Sequence, residues 1–174
     1  MPCTRALLFL LTWAQLAGCS PTLDWREVRP PESQLVLLFP CKPSAQERSV
    51  PLARQPVRLT LHACSAGGLT WGLVSADVAD PARTAPALAD FVASVTANIA
   101  GSATSSTPLR VPGATPNPGS QRLLLQGKLP DGRAVSMQVA VFTHGTRVFQ
   151  ATVLGEQLSP EVAEVFFDGL RIQP

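Results

Sequence analysis

Residues 24 to 174 predict a single α+β domain: an antiparallel β-sheet of about six to seven strands, with one long helix and a C-terminal helix packed on it. Three observations predict it. Short runs with a period of two, divided by turn residues, recur before residue 80 and again after residue 120. Between them, from Arg83 to Ala100, apolar residues recur at intervals of three and four, which is one stripe on a helix. A second, shorter helical pattern opens behind Ser159-Pro160.

Taken in order, Asp24-Trp25-Arg26-Glu27-Val28 alternates in character and reads as a first short strand or a clip onto the domain, broken by Pro30-Pro31. Leu35-Val36-Leu37-Leu38-Phe39 is a continuous apolar run stopped by Pro40, which suits a strand buried on both faces. Arg48 to Leu52 and Val57 to Cys64 follow as strands on either side of Ala53-Arg54-Gln55-Pro56. In the second, Val57, Leu59, Leu61 and Ala63 alternate with Arg58, Thr60, His62 and Cys64, so one face is expected dry and the other wet. Ser65-Ala66-Gly67-Gly68 is a turn cluster, and Leu69 to Ala76 is a strand with Leu69, Trp71 and Leu73 on one face. These strands form an antiparallel meander.

Leu88, Phe91, Val92, Val95 and Ile99 make the stripe of the long helix, with Thr84 as its expected N-cap, Pro86 in its first turn and Gly101 as its stop. This helix must cover one face of the sheet. Residues 102 to 120 are rich in Ser, Thr, Pro and Gly and read as a long loop, of the kind that marks a functional lid or a disordered segment. Leu109 to Val111 offers a short edge strand as the alternative. Strands at Gln121 to Leu129, Arg133 to Thr143 and Thr146 to Leu154 follow, joined by Pro130-Asp131-Gly132 and by His144-Gly145, the second a two-residue hairpin loop. Ser159 is the expected cap of the last helix, with Pro160 at its first position, Glu161 behind it, a buried stripe of Val162, Val165 and Phe166, and Gly169 at its end. Leu170 to Ile172 returns as a final short strand.

Upstream of the domain, residues 1 to 18 carry one cation, Arg5, then an apolar run from Ala6 to Trp13 and small residues before Cys19. That run is short of the roughly 20 apolar residues a membrane-spanning helix needs. Leu16-Ala17-Gly18-Cys19 resembles the lipobox of bacterial lipoproteins. The resemblance implies a signal peptide over residues 1–18, removed in the mature chain, and acyl chains on Cys19, which becomes the new N-terminus. Two or more such chains hold a protein stably on a membrane. Residues 19–23 are then a lipidated tether, and Ser20, where lipoproteins retained at the inner membrane often carry Asp, favours the outer membrane, facing the periplasm.

From Cys19 to Pro174 there are 156 residues, enough for one domain with a real core. The whole chain carries 14 Lys and Arg against 12 Asp and Glu, and loss of Arg5 with the signal leaves 13 against 12. A balance so near zero points to neither nucleic acid nor an electrostatic membrane patch. Of the four cysteines, Cys3 leaves with the signal and Cys19 is the lipidation site, so Cys41 and Cys64 remain as a pair for an oxidising compartment. A tight turn near Arg54-Gln55 would place Cys64 opposite residues near 45, within reach of Cys41. A structural disulfide is therefore expected.

Catalytic signals are sparse. His62 lies on the expected polar strand face and His144 in a hairpin turn; the sequence holds no Gly-x-Ser-x-Gly elbow, His-Glu-x-x-His, phosphate loop or Cys-x-x-Cys. Asp77 and Asp80 flank a turn before Pro81 and read as loop residues. No catalytic residue, metal site or cofactor is assigned. For binding, Trp25 lies beside the tether and Trp71 reads as core, while Arg58, Arg133 and Arg147 read first as a solvated face and, as the alternative, as cations presented on one side of the sheet.

Leu38-Phe39-Pro40-x-Lys42-Pro43, the strand pair, the long helix, the Asp131-Gly132 hairpin and the closing Phe166-Phe167-x-x-Leu170 resemble small bacterial lipoproteins with a PsbP-like α/β sandwich. The resemblance implies an antiparallel sheet with helices over it. Such folds host unrelated roles, mostly non-enzymatic binding or assembly, so it sets architecture and not activity, and the role expected here is a non-catalytic binding or assembly accessory. The expected partners are the membrane, through the acyl chains, and another envelope protein or a small ligand. The alternatives are an envelope enzyme, hydrolase-like, with a site under the 102–120 loop, and a purely structural envelope lipoprotein.

Overall fold

In the computed structural model, which describes residues 22–173, two sheets and two helices are assembled from a chain that alternates in period as its sequence does. Cys3, the Leu16-Ala17-Gly18-Cys19 tetrad and Ser20 lie outside the described residues. The strands are β1 (Arg26–Val28), β2 (Leu35–Phe39), β3 (Ser44–Leu52), β4 (Gln55–Ala66) and β5 (Leu69–Asp77) before the long helix α1 (Thr84–Asn98). After it come β6 (Ser102–Pro108), β7 (Gln121–Lys128), β8 (Ala134–His144), β9 (Arg147–Gly155), helix α2 (Pro160–Asp168) and β10 (Arg171–Ile172). No helix among the described residues is long and apolar enough to cross a membrane.

The large sheet has seven strands in the order β3-β4-β5-β9-β8-β7-β6, every neighbour antiparallel. It is two meanders joined at the centre, where β5 pairs with β9. Helix α1 carries the chain from the central β5 to the far edge at β6. The buried run Leu35–Phe39 does not join this sheet; β2 pairs instead with β1 and β10 in a separate three-stranded sheet.

The two helices lie on opposite faces of the large sheet. On one face Leu88, Phe91 and Val95 of α1, with Ile99 at its C-cap, cover Leu125, Val139, Val141 and Val148. On the other, β2 and α2 cover Trp71, Leu73, Phe142 and Phe149. An aromatic cluster holds the second layer together. Phe166 meets Phe39 at 5.3 Å and Trp71 at 5.4 Å between ring centroids, edge to face, and Trp25 meets Trp71 at 5.6 Å. Burial of each such ring removes 150–250 Å² from water and stabilises by roughly 1.5–3 kcal/mol.

Because both faces are covered, the expected wet face of β4 is partly dry. His62 stands opposite Leu73 and is 7% exposed. Its burial follows from the second layer, which no local alternation encodes.

Several local expectations are corrected. Residues 102–108 form an edge strand instead of loop, every one of them exposed, while Leu109 to Val111 is not a strand and Val111 is buried. Thr84 does not cap α1: a 3-10 turn at 81–83 precedes the helix, capped by Asp80 accepting from the Ala82 N–H at 2.9 Å, and the Thr84 hydroxyl donates to the Pro81 carbonyl. Ser159 is the N-cap of α2, as expected, with its carbonyl accepting from the Ala163 N–H at 3.2 Å, but its hydroxyl donates to the Glu161 carboxylate at 2.6 Å instead of capping through the side chain. In α2 the buried side chains are Ala163, Phe166 and Phe167, and Val165 is 42% exposed, because the aromatic pair turns the helix toward β2. The β8–β9 turn is Gly145-Thr146, since His144 pairs with Arg147.

The β3–β4 turn is Ala53-Arg54, both left-handed at φ 49° and 64°, and its strain is offset by the Asp90 carboxylate of α1 accepting from the Ala53 N–H at 2.7 Å. Leu52 therefore pairs with Gln55 and Ser44 with Ala63. Cys64 falls one residue beyond that last pair, about two residues nearer Cys41 than a turn at Arg54-Gln55 would set it. Cys41 and Cys64 are joined in a disulfide, with Cα atoms 6.1 Å apart.

The chain enters the domain at the far end of β4. The Asp24 N–H donates to the Pro40 carbonyl at 2.8 Å, and Leu23 lies against the β4–β5 turn. Gly67 in that turn is left-handed at φ 62°, and a Cβ there would come within 3.0 Å of Leu23 Cδ2.

Candidate functional site

The β6–β7 connection, residues 109–120, is a strap over one end of the sheet. Its neck is closed by the Leu109 N–H donating to the Ser120 carbonyl at 3.1 Å. Three prolines, at 112, 116 and 118, keep it out of any regular element. Lacking internal ladders, it is stitched to its surroundings. The Thr115 N–H donates to the Thr143 carbonyl at 3.0 Å, and the Gly145 N–H to Thr115 Oγ1 at 2.9 Å. Asn117 Nδ2 donates to Thr84 Oγ1 of α1 at 3.2 Å, and the Ile172 N–H of β10 to the Pro112 carbonyl at 2.8 Å. The strap thus bonds to both layers that sandwich the sheet.

Between the strap and β8 lies a cavity of about 540 Å³. Leu109, Val111 and Phe142 supply its apolar wall, and Arg110, Asn117 and Ser120 are among its polar lining. Ser120 is 8% exposed, and its hydroxyl has no hydrogen-bond partner. An orphaned buried hydroxyl costs roughly 1–3 kcal/mol, so its persistence calls for a reason in the site. Asn117 Oδ1, by contrast, accepts from the Gly119 N–H at 2.8 Å. No Asp, Glu or His lines the cavity.

No protein-family model matches the chain, and no curated protein matches it.

The residues singled out in the sequence are not gathered at this cavity. His62 is buried between β3 and β5, where removal from water holds its imidazole below the usual histidine range, with Nδ1 unpartnered. His144 sits at the end of β8, its Nε2 3.2 Å from Gln34 Oε1. Asp77 ends β5. Partial burial pushes its carboxyl up, but the Ala79 N–H, the Thr146 hydroxyl and the nearby Arg147 outweigh that and hold it below the usual carboxylate range. Trp71 is core, and Trp25 is half-buried against it.

Nor do the three arginines make a cationic face. Arg58 stands 3.7 Å from Glu47, Arg133 bonds Asp131 and Glu156 at 2.8 Å each, and Arg147 stands 3.6 Å from Glu32 and 3.9 Å from Asp77. Sequence reasoning passed over two cations with structural consequence. Arg122 leaves β7 to bind Glu164 of α2 at 2.8 Å, bonds Gln138, and lies 4.3 Å over the Phe167 ring. Arg110 lines the cavity. Among the described residues no group of three or more metal-ligating side chains is assembled.

Proposed function

We propose that the chain is a lipoprotein, held by acyl chains on Cys19 at the periplasmic face of an envelope membrane, where its domain serves as a non-catalytic binding accessory. Ser20 favours the outer membrane, and the element order from Leu38-Phe39-Pro40 to Phe166-Phe167 supports kinship with the PsbP-like lipoproteins. The observation that carries the binding role is the cavity under the strap. It is of a size that accepts a small molecule, and its wall is apolar with a few polar groups. The Cys41–Cys64 disulfide supports the compartment, since such pairs persist where the surroundings oxidise thiols.

Intact mass of the protein purified from membranes, with and without reduction and alkylation, tests the anchor. The expected mass is that of residues 19 to 174 plus acyl chains, with Cys41 and Cys64 alkylated only after reduction. An unacylated mass, or thiols free before reduction, overturns the reading. Labelling of Ser120 by a fluorophosphonate would overturn its non-catalytic part.

A further inference from the structure

We propose that the cavity beneath the strap binds a small organic monoanion, a carboxylate carried on a short apolar or aromatic body. This rests on the binding-accessory reading and names its ligand class. Charge gives the first reason. Seven arginines of the described domain pair with carboxylates, while Arg48, Arg54, Arg83 and Arg110 do not. Arg83 is taken up by the Val78 and Leu52 carbonyls, at 2.8 and 2.9 Å. Of the four, only Arg110 lines the cavity, and no acid lines it to compete. A guanidinium presents a planar fork of donors that matches a carboxylate, so an anion is the complement this wall lacks.

Ser120 gives the second reason. It lines the same cavity and its buried hydroxyl has no partner, so a small side-chain rotation into the cavity would let a bound carboxylate oxygen accept from it. The body of the ligand is set by Leu109, Val111 and Phe142, which offer apolar and aromatic surface and no further charge. At about 540 Å³ the space falls within the 300–1,000 Å³ of small-molecule sites. The site is also built in advance. The strap's bonds to β8, β10 and α1 hold it in place before any ligand arrives, which lowers the ordering cost of binding.

The test is isothermal titration of phenylacetate into the purified full chain. The protein is held in phospholipid nanodiscs if the intact mass is acylated and in buffer if it is not, with empty nanodiscs as the blank. Saturable binding is expected, with acetate and the neutral phenylacetamide each weaker by about tenfold or more. Arg110→Ala should weaken phenylacetate by about tenfold and leave phenylacetamide unchanged, while Ser120→Ala should weaken both, with unchanged circular dichroism in each variant. Absence of saturation, equal affinity for phenylacetamide, or indifference to Arg110→Ala overturns the proposal. An acylated mass without phenylacetate binding removes the ligand class alone, and binding by an unacylated protein removes the anchor alone.

Discussion

Cys41 and Cys64 sit where the chain leaves the small sheet for the large one, through Pro40-Cys41-Lys42-Pro43. Standing 23 positions apart in sequence, they close a loop that contains β3 and the β3–β4 turn. Cys41→Ser with Cys64→Ser is therefore expected to lower unfolding free energy by about 2–4 kcal/mol in urea, reductant to do the same to the parent, and the double variant to ignore reductant. His62 sets a pH dependence of its own. Burial favours the neutral imidazole, so in the folded state the ring protonates below the 6.5 of the unfolded chain. Its contribution is complete above that value and is lost as pH falls through 6.5 toward the folded value, because the unfolded chain then binds more protons. Urea midpoints should fall between about pH 7.5 and pH 5.5, and His62→Gln should flatten that slope. Asp77 acts in another window. Its depressed folded value makes its contribution present above 3.8 and lost as pH falls through its folded value.

Among the elements, the strap hangs on Gly113. It is left-handed at φ 77°, and a Cβ there would sit 2.5 Å from the Ile172 carbonyl oxygen. Gly113→Ala should lower stability by about 2–3 kcal/mol and speed hydrogen exchange at the Thr115 and Ile172 amides, with the α1 amides unchanged. Most strands were legible because each alternates, as Val135, Met137, Val139 and Val141 do in β8. Strand β6 was not, because Ser102-Ala103-Thr104-Ser105-Ser106-Thr107-Pro108 buries nothing on either side and is a strand only through its ladder to β7. Helix α1 was legible from its stripe, but the side of the sheet that each helix takes depends on contacts across the whole chain. The 102–120 segment reads from its composition as a candidate lid. Ser120 within it became informative only once folding had buried its hydroxyl and left it unpaired.

For the molecule as a whole, the large sheet is the shared floor of both cores, so neither face can lose its cover without exposing strands that the other face needs. Unfolding is expected to be one transition. Fluorescence of Trp25 and Trp71, which report the α2 face, should coincide in urea with far-ultraviolet circular dichroism, to which α1 contributes from the other face. Separate midpoints would show that one layer melts alone. The place where the chain enters has a consequence for posture. Leu23 lies on the β4–β5 turn, whereas the strap reaches Thr143 and Gly145 at the opposite ends of the strands. The nine residues of β5 between those ends span roughly 30 Å. If Cys19 is seated in a bilayer, as we propose, the lipid end of the chain and the mouth of the cavity would lie at opposite ends of the sheet, so a solute would be met at the end turned away from the tether.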